Sequence, residues 1–455
     1  MAALLVSFLL LMILGCPIAF CLLCSGTIYF MTNNMALIMV VQRLTEGANT
    51  FTLLAVPGFI LAGNLMNSGE VTDRIFDFCG KLVGHITGGL GHANILASVV
   101  FAGMSGAAIA DAGGLGAIEL KAMHDAGYDD DFSLAVTGAS SLVGPIIPPS
   151  VPAVVYGTVA SVSIGRLFMA GAVPGAIMAI AMCAMVYIIS KKRGYRKEEW
   201  CGFRALFHSF RRAFLSLLTV VVILGGILAG IFTPTEAAII ATFYAIFLGF
   251  FYRTLTLKKL LAALKEASET TCTVMMIVCG ATIFCYILSF ERFPQMVANL
   301  FLTYVDNKYM ALFVINVFLV FVGMFMDSSP SIIILTPVFL PVVTAFGVDP
   351  VHFGIIMILN LMIGLLTPPV GMVLYVLSKV SSVPLSGFVK QRFLTLLCFI
   401  SFYSLSHISL RFVWHFRHGC TGHKILIKAI APLSDIENGA FSVNMPFINI
   451  SNKYL

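Results

Sequence analysis

Charge is scarce in this chain. Asp, Glu, Lys and Arg make up 11% of its 455 residues, 59% are hydrophobic, and the mean hydropathy is +0.99. A soluble domain carries about a quarter charged residues, so the string of two or three soluble domains that the length alone would suggest is excluded, and a polytopic membrane protein is expected. The patterns that hold metals or nucleotides are also missing. Nine histidines are scattered without H-E-x-x-H spacing, and neither G-x-S-x-G nor G-x-x-x-x-G-K-[ST] occurs, which leaves a metalloenzyme, a membrane hydrolase and an ATP-driven pump without support. No enzyme activity and no cofactor are expected. The eleven cysteines lie mostly in apolar runs. Cys21 and Cys24 form a C-x-x-C inside one of them, where they read as small packing residues. The apolar N-terminus lacks a basic n-region and a clear small-residue cleavage site, so it reads as a retained first span.

The net charge of +6 is concentrated in short loops between apolar runs, which is a topology signal rather than a nucleic-acid footprint. Residues 191–212 hold Lys191, Lys192, Arg193, Arg196, Lys197, Arg204, Arg211 and Arg212, and 253–265 hold Arg253, Lys258, Lys259 and Lys265. Both loops are expected in the cytoplasm, and the turn at 233–236 between them outside. Residues 191–213, which mix Trp200, Phe203, Leu206 and Phe210 with the basic residues, are expected as an amphipathic connector on the cytoplasmic leaflet. Thr233-Pro234-Thr235-Glu236 reads locally as a helix start, with Thr233 as N-cap, Pro234 at the first position and Glu236 closing a capping box.

Within this apolar background one pattern occurs twice. Gly144-Pro145-Ile146-Ile147-Pro148-Pro149 interrupts one apolar run and Gly364-Leu365-Leu366-Thr367-Pro368-Pro369 interrupts another, 220 residues later. The same offset lays Gly103-Met104 on Gly323-Met324, Gly127 on Gly347 and Asp129 on Asp349. Vicinal prolines break a helix, because proline lacks the donor and clashes with the preceding turn. Broken helices at matching places in two halves point to the binding site of a secondary transporter. The expected fold is therefore an all-α polytopic membrane protein of two inverted repeats with re-entrant hairpins and discontinuous helices. Residues 1–190 form the first repeat, with a hairpin near 103–126 and a broken helix near 133–160. Residues 214–380 form the second, with a hairpin near 323–346 and a broken helix near 351–378. The offset alone leaves inversion open; an odd number of crossings between equivalent points would establish it.

Broken helices expose carbonyls that suit a hard monovalent cation, and half-helix N-termini that suit an anion. Asp327 is an intramembrane carboxylate, followed by Ser328, Ser329 and Pro330. Function and simple N-capping both remain open for it, and for Asp111, which matches Ser331. Ser105, Ser150 and Thr367 offer hydroxyls at the first hairpin and at the two breaks. Arg43 reads as a membrane-boundary residue.

Together, Leu53-Leu54-Ala55-Val56-Pro57-Gly58-Phe59, the glycine-rich stretch Gly103–Gly116, Gly144–Ser150, Gly230–Ala238 and Leu366–Gly371 resemble the large membrane subunit of TRAP (tripartite ATP-independent periplasmic) transporters over residues 1–380. The resemblance implies sodium-coupled import of an organic acid anion across the bacterial inner membrane by an elevator mechanism. A small four-helix membrane subunit and a periplasmic substrate-binding protein are implied as partners. It implies a first sodium site at Ser105 and the backbone of Gly144, Ile147 and Pro149. A second is implied at Gly323, Gly364, Thr367 and Pro369, with Pro148 and Pro368 as structural breakers. Substrate is implied near Ser105, Ser150, Asp327, Ser328 and Ser329. Residues 381–455 depart from the family pattern, with Lys390, Arg392 and Arg411 interrupting the apolar run, and are not expected to pack as its last span. A stand-alone carboxylate symporter of a related inverted-repeat family and an inactive membrane subunit stay open as alternatives.

Overall fold

The computed structural model describes residues 1–381 apart from Glu70, Arg196, Glu198, Asp306, Pro369 and Val370. The atypical segment after residue 381 and the predicted ligand Pro369 lie outside the described residues. The described chain is all helix. It begins with α1 (Ala2–Ile13), α2 (Ile18–Thr32) and α3 (Ile38–Ala48), then passes a 3-10 turn (Phe51–Leu54) into α4 (Ala55–Ser68) and α5 (Val71–Val83). There follow α6 (Gly89–Ser105), α7 (Ala108–Gly113), α8 (Leu115–Asp125), α9 (Asp130–Ser141), α10 (Val151–Val159) and the long α11 (Ile164–Arg193). The second half holds α12 (Gly202–Leu228), α13 (Pro234–Phe251), α14 (Leu257–Phe290), α15 (Phe293–Tyr304), α16 (Lys308–Gly323), α17 (Ser328–Ala345), α18 (Pro350–Leu365) and α19 (Met372–Ser381).

The doubled sequence produces doubled structure. Helices α16, α17, α18 and α19 start within one residue of the positions that a 220-residue shift of α6, α7, α9 and α10 requires. Packing is exchanged between the halves. Helix α13 lies on α4 as α2 lies on α14, and α10 lies on α17 as α19 lies on α7 and α8. Such reciprocal pairing is the mark of a two-fold relation.

Among the described residues six helices are long and apolar enough to cross a membrane, as expected of a multi-pass protein. Burial separates two environments among the helices of the chain. Helix α18 is buried on every face from His352 to Leu365, and α6 is buried at most positions; helices apolar all round belong inside a bundle. Helices α12 and α13 instead turn Phe207, Phe214, Val221, Phe243, Phe247 and Phe250 outward, where lipid would meet them.

Two boundaries differ from the sequence expectation. The first hairpin begins earlier than residue 103, because α6 is its entering arm and 103–107 its tip; the same holds for α16 and 323–327 in the second. An entering arm is an unbroken apolar helix, which composition cannot distinguish from a full span. The basic connector is not a separate element either: from Gly202 on it is already α12. It is held to α5 by Phe210 stacking beside Phe78 at 5.7 Å and by the Ser209 hydroxyl donating to Asp77. At the far end of α12, the Thr233 N–H donates to Glu236 Oε2 at 2.8 Å, and the Glu236 N–H donates to Thr233 Oγ1 at 3.3 Å. The capping box thereby satisfies two donors that the start of α13 would leave orphaned.

Candidate functional site

Each half brings a hairpin tip against a helix break. In the first half, α6 ends at Ser105, and Gly106 turns the chain with φ +60°. A side chain at Gly106 would stand 2.5 Å from the carbonyl oxygen of Pro149, so only glycine lets the tip reach the break. The contact is sealed by the Val151 N–H donating to the Gly106 carbonyl at 3.2 Å. In the second half the Gly371 N–H donates to the Met324 carbonyl, also at 3.2 Å. The backbones of Gly323 and Gly364 approach so closely that a Cβ on Gly364 would lie 2.5 Å from Gly323 Cα.

The first break is a nine-residue turn, 142–150, between α9 and α10. It contains the cis peptide Pro148-Pro149. Ser150 caps α10: its Oγ accepts from the Ala153 N–H at 3.1 Å, while its hydroxyl donates back to the Pro145 carbonyl. Among the described residues no donor reaches the carbonyls of Gly144, Ile147 or Pro149. The Ser105 hydroxyl, 2% exposed, is also without a partner. These oxygens come from the residues that sequence reasoning assigned to the first cation site, and buried oxygens without donors are the ligands a hard cation takes. In chemistry, this set of oxygens suits a hard monovalent cation.

The second break is more self-satisfied. The Thr367 N–H takes the Gly364 carbonyl at 2.9 Å, and its hydroxyl donates to the Ile363 carbonyl at 2.7 Å. Thr367 is half-buried and Pro368 is exposed. At the tip opposite, Asp327 occupies the N-cap position of α17 with extended backbone, yet its side chain makes no capping hydrogen bond. The Ser328 hydroxyl donates to it at 3.4 Å, with the Ser328 and Ser329 N–H groups beside it, while Ser331 donates to its carbonyl at 2.8 Å. Asp327 is thus a half-buried carboxylate set at the N-terminus of α17. Ser328 and Ser329 beside it are buried, each 5% exposed. Arg43 is paired with Glu46 at 2.6 Å and covers the Tyr286 ring.

Polar residues that the sequence did not single out tie each broken helix to its hairpin. Asn94 on α6 donates to Thr137 on α9 at 2.7 Å and accepts from Ser140 at 2.7 Å. In the second half Asn360 on α18 donates to Asn316 on α16 at 2.9 Å. Ser140 and Asn360 occupy matching positions, and that match was the available signal. At the exposed junction of α8 and α9, Arg193 from the end of α11 pairs with Asp129 at 2.6 Å and Asp131 at 3.1 Å. Tyr195 donates to Asp129 at 2.6 Å.

Comparison with known proteins identifies the family. The family model described as the DctM component of tripartite ATP-independent periplasmic transporters matches residues 5–409. The chain is 51% identical over 372 residues to the sialic acid TRAP transporter large permease protein SiaM of Vibrio cholerae, covering 81% of this chain and 87% of that one. It is 38% identical to the C4-dicarboxylate TRAP transporter large permease protein DctM of Pseudomonas aeruginosa, over 76% of this chain and 82% of that protein. It is 37% identical to the 2,3-diketo-L-gulonate TRAP transporter large permease protein YiaN of Escherichia coli, over 84% and 90%. Among solved structures, the YdaH transporter of Alcanivorax borkumensis shares the fold with a TM-score of 0.59 at 14% identity, over 82% of this chain and 88% of that one.

Proposed function

The chain belongs to the DctM family, the large membrane component of tripartite ATP-independent periplasmic transporters, and on that premise we propose that it imports an organic acid anion across the bacterial inner membrane, coupled to sodium. The observation that carries the proposal is the doubled tip-and-break contact, Val151 to Gly106 and Gly371 to Met324. In each half it brings a hairpin tip against the backbone oxygens of a broken helix. Sodium ions bound at the two breaks would favour the anion between them, and each ligand then raises the other's affinity by the same factor. Asp327, Ser328, Ser329, Ser105 and Ser150 are the side chains we assign to the substrate cavity. Sialic acid is the first substrate to try, given the 51% identity to a sialic acid permease.

Five passes, α11, α12, α13, α14 and the α18–α19 pair, separate the end of α10 from the end of α19 when the α16–α17 hairpin is counted as returning to its own side and the twelve-residue α15 as not crossing. An odd count supports inverted repeats, and with them an elevator in which hairpins and broken helices move as one body against the remaining helices. A small membrane subunit and a periplasmic binding protein are the partners of this reading.

The test is uptake into proteoliposomes containing this chain, its small subunit and the binding protein. Labelled sialic acid is expected to accumulate only with an inward sodium gradient and all three components. Uptake that ignores sodium and follows ATP would overturn the proposal. Uptake without the binding protein would replace it with a stand-alone symporter.

A further inference from the structure

The returning arm of the first hairpin carries two acids that the second lacks. Asp111 on α7 and Glu119 on α8 are each 1% exposed. Neither oxygen of Asp111 nor Oε1 of Glu119 has a hydrogen-bond partner. The two carboxylates are close enough to repel one another. Ser98, on the entering arm α6 and 1% exposed, turns its hydroxyl toward Asp111 without closing a hydrogen bond, and that hydroxyl has no other partner. The matching residues of the second half, Ser331 and Phe339, carry no charge.

No cation of the described chain answers this pair. The elements packed on α7 and α8 are α5, α6, α9 and α19. Helix α5 presents Cys79 to Glu119, its Arg74 covers the Tyr252 ring, and its Asp77 is held by Lys81 and Ser209. Asp73 lies further along α5, in its first turn. Helix α6 adds the buried His92 six residues before Ser98. The acids of α9 stand at its start, Asp130 with His124 and Asp131 with Arg193. Helix α19 presents Val376 and Leu377 to the glycines of α7 and α8, and its Lys379 is exposed, as is Lys121 of α8.

Leaving both carboxylates ionised and bare here would cost several kcal/mol per ion, on top of their mutual repulsion. Two interacting buried carboxylates cannot both stay charged without a compensating cation, and the Ser98 hydroxyl is a third oxygen, beside Asp111. We propose that Asp111, Glu119 and Ser98 form a site for one monovalent cation, a proton or a sodium ion, carried by the first hairpin and separate from the two breaks. The proposal does not rest on the transport reading, because occupancy of the pair can be measured without uptake.

The experiment uses the full chain in nanodiscs at neutral pH in choline buffer with saturating 22NaCl, with wild type, Asp111→Asn and Glu119→Gln compared by two readouts. One is the infrared carbonyl stretch of a buried protonated acid; the other is the number of 22Na ions bound per chain at saturation. A proton on the pair predicts that band in wild type and its loss in either variant. Sodium on the pair predicts no band, and one ion fewer bound in the variants. Either result supports the site and names its occupant, whereas equal bands and equal sodium counts in all three proteins overturn it. Asn and Gln match the neutral acids in shape, so both variants should fold. Ser98→Ala guards against the contrary, since it removes only a hydroxyl and should weaken the cation affinity about fivefold, the worth of one hydrogen bond. Should both acid variants fail to fold, an unchanged proton and sodium titration in Ser98→Ala overturns the site.

Discussion

The two halves of this transporter subunit share a backbone and differ in what hangs from it. Tip and break meet in both, through one N–H to carbonyl bond of 3.2 Å in each. In the first half the tip is Ser105-Gly106-Ala107, with no charge, and the carboxylates sit deep in the returning arm. In the second half the carboxylate, Asp327, stands at the tip itself, and the returning arm is uncharged and carries Pro337 and Pro341 instead. The breaks differ as well, since the first leaves the carbonyls of Gly144, Ile147 and Pro149 without donors while the second spends Gly364 and Ile363 on Thr367. Duplication supplied a geometry that brings a hairpin tip against the main-chain oxygens of a broken helix. Side chains then diverged, one half presenting bare backbone at its break and the other an acid at its tip.

The sharpest way to break this comparison is at the glycines. A methyl on Gly364 would collide with Gly323 Cα at 2.5 Å, whereas one on Gly144 would meet the Ser141 carbonyl at 3.2 Å. Backbone cannot yield as a flexible side chain can. Gly364→Ala is therefore expected to abolish uptake and to cost about 1–3 kcal/mol of stability. Gly144→Ala should retain measurable uptake, with a melting temperature close to wild type. Equal damage from both, in thermal unfolding and uptake assays, would mean the two breaks are packed alike.

Next in size is Asp327→Asn. It keeps the shape of the tip and removes the charge, so initial uptake should fall about tenfold or more, as expected for one charge-assisted contact, while the amount in the membrane stays constant. Full activity would remove Asp327 from the site and leave it as an uncapped N-cap.

How much of this was legible follows from the kind of signal each residue leaves. The breaks announced themselves because vicinal prolines have no other use inside an apolar run, and their register at one offset located both tips. The entering arms α6 and α16 did not, because a buried re-entrant helix and a spanning helix share the same apolar composition. Glu119 was hidden by its neighbours Lys121, His124 and Asp125, which make the segment look like a solvated helix end. Its spacing tells otherwise: Asp111, Leu115, Glu119 and Met123 recur every four residues, and all four are buried. A charged residue on an apolar stripe was the available sign. The pairings Asn94 to Ser140 and Asn316 to Asn360 are tertiary facts, and a single sequence gives no distance between α6 and α9.

A smaller effect separates Ser150 from Thr367. Ser150 caps α10, whereas Thr367 only back-bonds to its own helix, which adds little. Ser150→Ala should cost about 1 kcal/mol and Thr367→Ala less, read as a difference in melting temperature between the two variants. Thr367→Ala should raise the sodium concentration needed for half-maximal uptake if its hydroxyl is a ligand, and Ser150→Ala the substrate concentration if its hydroxyl lines the cavity. A stability loss with both dependences unchanged would confine the two hydroxyls to holding the backbone.

The smallest effect concerns how the two halves begin. Helix α13 opens with the Thr233–Glu236 box, while its counterpart α2 opens at Pro17 with no side-chain cap. The Thr233 N–H and hydroxyl both donate to the Glu236 carboxylate, at 2.8 and 2.9 Å. Donors that hold the ionised form stabilise the fold while the acid is ionised, and that contribution disappears as it protonates. Thermal unfolding of wild type should therefore show a small acid-side loss of stability that Glu236→Gln lacks, the variant starting lower near neutral pH and converging with wild type in acid. Because α2 has no such box, no substitution at Pro17 should reproduce that pH dependence; if the Glu236→Gln and wild-type curves stay parallel throughout, the box contributes geometry and not charge.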